Sequence, residues 1–207
     1  MKKNKIRLIK SQGTEVEVKR YISPSSSAAT FKTIAIIGRG ARTNADMYKL
    51  EGQKEGIFFP DTEIDSGDFV YNSSQSESYV VSGTHKEPWK NGTISIITNL
   101  LKCNHIINVK SNVKVADARG NLKTKLNDIY TGIPCHVEQI TNELRQYDSG
   151  IHPETDYRVY TTALDIKETD QVTLVVMGKE EQFKAVARDY ISFPKMLVLD
   201  VCRDIRK

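Results

Sequence analysis

No apolar run in this chain approaches the roughly 18 residues that a membrane-spanning helix needs, and helical periodicity is sparse along its 207 residues. Cysteine is scarce. Cys103, Cys135 and Cys202 are an odd number and form no C-x-x-C pair, which fits reduced, cytosolic folding better than a disulfide framework. Neither sign of charge dominates, since 30 Lys+Arg stand against 26 Asp+Glu for a formal charge of +4. That excess is too small to argue for nucleic acid by itself. The start, Met1 to Lys10, is basic but lacks the apolar core of a signal peptide, so the protein is expected to be soluble and made in the cytoplasm. No P-loop and no G-x-G-x-x-G is present, so a phosphate-cradling cofactor site has no motif behind it.

What the chain does have is alternation, and an echo of itself about one hundred residues on. Ile64-Asp65-Ser66-Gly67-Asp68-Phe69-Val70 returns as Ile166-Lys167-Glu168-Thr169-Asp170-Gln171-Val172. Alternating segments follow each copy, beginning at Glu77 and at Glu181, and each copy closes on an apolar strand running into a cysteine, Cys103 or Cys202. Upstream, Val113-Lys114-Val115 resembles Val16-Glu17-Val18, and 133–137 occupies the place of 34–38. Period-2 patterning predicts strands over 14–21, 33–38, 56–59, 68–72, 77–82 and 93–102, then 156–161, 172–177, 181–188 and 195–202. Asn91-Gly92 predicts a tight hairpin. Short helices are expected over 138–145 and 44–50, and a polar loop over 118–128. The fold class is therefore mainly β: two similar barrel- or sandwich-like modules in tandem, 1–108 and 109–207, with one or two short helices.

Chemistry-bearing residues are few, and each has a plain alternative. Cys135-His136 and Cys103 near His105 invite zinc, but adjacent strand residues point to opposite faces and the paired ligand spacings are missing, so neither a metal nor a cofactor is expected. A cysteine nucleophile has no flanking signature, and the carboxylates of 61–68 read as a solvated turn. No enzyme is expected. Gly38-Arg39-Gly40-Ala41-Arg42 reads as a turn with two cations, and the N-terminal lysines as an edge strand, a DNA-facing arm or an arm lying on a neighbouring subunit. Candidate assembly or channel contacts are Arg39, Arg42 and Trp89 in the first module, and Arg119, Lys123 and Lys125 in the second.

The second half resembles phage head-to-tail connector proteins of the head-closure, or stopper, kind. The residues behind this run from Tyr130-Thr131-Gly132-Ile133-Pro134-Cys135-His136-Val137 through Asp156-Tyr157-Arg158-Val159 and Ile166 to Val172, ending in the apolar terminal strand. Thr169 departs from the pattern at the turn where such proteins carry Gly; the first half has Gly67 there. The resemblance implies a small β-barrel in a homo-oligomeric ring of the virion neck. Such a ring would contact portal or adaptor proteins above and tail proteins below, help close the DNA channel, and touch DNA non-specifically without any membrane contact. Assembly in the host cytoplasm and a place in the virion follow from it. Another tail or baseplate component, or a nucleic-acid-binding β-barrel module, is the alternative.

Overall fold

The computed structural model describes residues 2–21, 29–39, 52–90, 92–116, 120–147, 150–176, 178–193 and 195–204. The expected helix over 44–50 lies outside them. In the first half the strands are β1 (Thr14–Arg20), β2 (Ala29–Arg39), β3 (Gln53–Phe58), β4 (Phe69–Asn72), β5 (Glu77–Trp89) and β6 (Gly92–Lys102). Val16 and Val18 face inward while Glu15 and Glu17 stay outside, the division that alternation imposes on a half-buried strand. The strands close as an antiparallel barrel in the order β1-β2-β3-β6-β5-β4, which removes most of the free edge within the circuit. The interior is filled by Val16, Val18, Ala35, Phe58, Val70, Tyr79, Val81, Ile96 and Leu100.

The second half contains β7 (His105–Ala116), β8 (Leu122–Gln139), β9 (Tyr157–Thr162), β10 (Gln171–Val176), β11 (Lys179–Asp189) and β12 (Met196–Arg203), closed as β7-β8-β9-β12-β11-β10. Replacing each strand of the first circuit by the one six later reproduces the second, so the chain is a tandem pair of like barrels. The change of barrel falls at Cys103-Asn104, whereas a division at 108/109 would lie inside β7. Fine structure repeats too. The Asp68 carboxylate accepts the Asp65 N–H and that of Asp170 accepts the Lys167 N–H, each at 2.8 Å. β5 carries a bulge between Val81 and Gly83, and β11 one between Ala185 and Ala187.

The pairing corrects three points of the sequence alignment. The partners of Val16 and Val18 in the repeat are Ile107 and Val109, which hold the same places against β10 that Val16 and Val18 hold against β4. Val113 and Val115 lie beyond the barrel. The β2 equivalence shifts by one, because Ala35 pairs Thr14 as Cys135 pairs His105. The two cysteines are not equivalent. The Cys103 N–H donates to the Ser78 carbonyl at 2.8 Å and the Asp204 N–H to the Gln182 carbonyl at 3.1 Å, so Asp204 answers Cys103 and Cys202 answers Leu101.

Two helices are described. α1 (Lys2–Gln12) replaces the expected edge strand or arm: Ile6 and Ile9, three apart, turn one stripe onto β2 and β6, and Lys5 bonds Glu87. α2 (Asn142–Tyr147) starts later than expected because Glu138 and Gln139 pair with Arg158 and Tyr157 as the end of β8. The Asn91-Gly92 hairpin forms one residue earlier, with Trp89 paired to Gly92 and Lys90 at φ 50° in the turn.

The barrels are joined along one apolar face. Phe69, Val80 and Leu101 point out of the first barrel and belong to the same hydrophobic cluster as the second barrel's core, beside Tyr21, Val137 and Tyr160. Their counterparts in the second barrel are Gln171, Lys184 and Cys202, so the docking face is written into one copy and largely erased from the other.

Candidate assembly surface

The most exposed element outside the two closed circuits is a ribbon at the far end of β7 and β8. From Ser111↔Asn127 to Ala116↔Leu122 the strands pair, among the described residues, only with each other, giving an arm roughly 20 Å long at about 3.4 Å per residue. The expected polar loop over 118–128 is thus corrected: residues 122–128 are strand, and 117–119 lie outside the described residues. Directly opposed residues share a face, so Val113↔Lys125 and Val115↔Lys123 put two valines and two lysines on one side. Leu122 and Leu126 lie on the other with Lys114. Leu122 is 69% exposed and Val115 and Leu126 are each 47% exposed. The base is fixed by the Asn112 amide donating to the Thr169 carbonyl at 3.2 Å and by Lys110–Asp128 at 3.6 Å.

Of the residues singled out from sequence, the structure brings Lys123 and Lys125 together on this arm. Arg119 and Arg42 lie outside the described residues, as do the side chains of Arg39 and Trp89. The backbones of those last two sit at opposite ends of the first barrel: Arg39 pairs Lys54 near the Leu100 end of β6, and Trp89 pairs Gly92 at its start. Sequence reading missed the arm's apolar members. Their signal was alternation at Val113-Lys114-Val115 and Leu122-Lys123-Thr124-Lys125-Leu126, assigned to a barrel wall in the first instance and to a loop in the second.

A cleft of about 540 Å³ opens where the barrels meet, a volume that suits small ligands. Its cations are already engaged. Arg20 donates to both Asp68 carboxylate oxygens, at 2.9 and 2.8 Å, and to the Glu63 carbonyl at 2.7 Å. Arg188 bonds the Ile166 carbonyl and Lys195 bonds Asp65. Burial pulls the Asp65 carboxyl upward, but the Lys195 ammonium and the Ser66 N–H outweigh it and the net shift is down. The Tyr190 hydroxyl donates to the Leu164 carbonyl at 2.8 Å. Of these contacts Lys195–Asp65 crosses from one barrel to the other, and the rest brace the cleft wall within a single barrel.

Cys103, Cys135, His105 and His136 sit around the crossover. Burial pushes the Cys103 thiol up to about 12 and the Cys135 thiol further, so both are held protonated. Burial, then His136, lowers the His105 imidazole. His136 Nδ1 lies 2.8 Å from the Lys102 carbonyl, orienting its ring at the junction. Among the described residues no three His, Cys, Asp or Glu side chains converge to hold a metal ion. No family model matches this chain, and no curated protein is detectably similar to it.

Proposed function

We propose that this chain is a structural virion protein of the phage neck, forming a homo-oligomeric ring that joins head to tail and helps close the DNA channel. The observation that carries the reading is the arm. The two barrels close most of their strand edges on themselves, yet β7 and β8 extend a ribbon beyond both circuits whose apolar side chains Val113, Val115, Leu122 and Leu126 stand exposed. An isolated two-stranded ribbon is marginal in water, and exposed edges invite pairing with another chain. The pattern-level resemblance of the second half to head-closure proteins supplies the setting, and the reading assigns no catalytic step. Particles assembled without this chain are expected to stop as filled heads separate from tails, with joining restored by the full chain and not by one lacking residues 112–126. Joined, infectious particles without the chain would contradict the proposal. Binding of duplex DNA by the isolated protein, collapsing steeply with salt, would favour a nucleic-acid module instead.

A further inference from the structure

The arm has a complement on the opposite half of the molecule. Between β2 and the segment 59–63, at one end of the first barrel, lies a groove of about 440 Å³. Phe31 and Phe59 give it apolar walls, and the exposed Asp61 and Glu63 line its rim. Neither carboxylate is in a salt bridge with a described residue, whereas Lys32, the groove's cation, is paired to Glu15 at 2.9 Å. β3 meets β2 only from Ala35 onward, so over residues 29–34 β2 has no strand partner on this side among the described residues.

The arm presents the opposite set. One face carries Val113 and Val115 beside Lys123 and Lys125. Over residues 110–128 five cations stand against two carboxylates. Lys123 and Lys125 are two positions apart on an extended strand, as Asp61 and Glu63 are two apart on the rim. Within one chain the arm belongs to the second barrel and the groove to the first, and the arm's exposed faces show it is not seated there.

We infer that the β7–β8 arm of one copy seats in the Phe31–Phe59 groove of a second copy, with Val113 and Val115 against the two phenylalanines and Lys123 and Lys125 against Asp61 and Glu63. This rests on the ring reading and gives it a contact: donor and acceptor are different surfaces, so the interface is heterologous and repeats from copy to copy until it closes.

The test is light-scattering mass of the full chain and two charge-reversed forms, Lys123→Glu/Lys125→Glu and Asp61→Lys/Glu63→Lys, alone and mixed. All four positions are exposed, and a thermal melt checks that each form is folded. The wild type is expected to self-associate and each reversed form to lose at least tenfold in association. Mixing the two reversed forms sets each reversed arm against a reversed groove and each native arm against a native groove, so the mixture should regain assembly. The decisive form combines all four substitutions in one chain, which restores complementarity at every contact and should also regain assembly. Carbodiimide coupling of mixed isotope-labelled and unlabelled wild type should join Lys125 of one copy to Glu63 or Asp61 of another. A wild type that assembles while the reversed forms assemble equally, or a fourfold form that stays dissociated, would overturn the arm–groove contact alone. A wild type that stays monomeric at every concentration would overturn the ring reading with it.

Discussion

Single residues decide how the two barrels differ and how they are held. Gly67 stands at φ 83°, and a Cβ there would collide with the Lys195 carbonyl oxygen of the other barrel. Gly132 is also left-handed, at φ 69°, but its surroundings are open. Gly67→Ala is therefore expected to cost about 3 kcal/mol and Gly132→Ala only about 1 in chemical denaturation, since the first adds a backbone clash to conformational strain. Inside the barrels, Gly56 and Phe58 of β3 occupy the places of Val159 and Thr161 in β9. The two pairs divide a similar space differently, small–large against large–small. A side chain at Gly56 would run into Thr98 and Phe58. Gly56→Val should destabilise by about 2 kcal/mol, and adding Phe58→Thr should recover part of that loss. If the double substitution is simply the sum of the singles, the two positions are not the shared volume that the barrel equivalence requires.

Elements explain what could be read in advance and what could not. Barrel strands were legible because each has a wet and a dry face, and alternation at Thr14–Arg20 or Tyr157–Thr162 reports that directly. The arm has no dry face within its own chain, so residues 122–128 looked like loop; tertiary pairing carried Glu138 and Gln139 into β8 where local pattern suggested helix. α1 was hidden because its cations interrupt a two-residue apolar stripe too short to stand out. The arm's independence is measurable: joining Ser111 to Asn127 through an Asn-Gly turn should leave the melting temperature within about 2 °C, because the removed residues contribute nothing to either core. α1 should respond to acid. Bonds from Lys5, then Ser95, lower the Glu87 carboxyl below its ordinary value. A depressed carboxylate contributes stability above its unfolded value, near 4.3, and loses it as pH falls through the folded one. Hydrogen exchange over residues 3–12 is expected to speed up below about pH 4 relative to the β1 amides; equal protection at pH 3 and pH 7 would remove Glu87 from the tether.

At the scale of the whole molecule, two like barrels share one equivalent face, and only the first barrel's copy of it is fully apolar. Phe69, Val80 and Leu101 bind the first barrel to the second, while Gln171 and Lys184 in the second barrel keep the same face from recruiting a third. On the proposed ring reading, growth beyond the pair is left to the arm. Writing the second barrel's residues into the first, as Phe69→Gln with Val80→Lys, should separate the barrels and split unfolding into two transitions, as expected when the apolar contact between two closed units is removed. The central claim, that this chain works as a repeated unit of a closed assembly, is tested most directly by native mass spectrometry of the full chain at micromolar concentration. The expected spectrum is one dominant species at a fixed multiple of the 23.4 kDa chain mass, shifting to the single chain when residues 112–126 are excised. A spectrum of 23.4 kDa alone for the intact chain, at every concentration and salt, would contradict it.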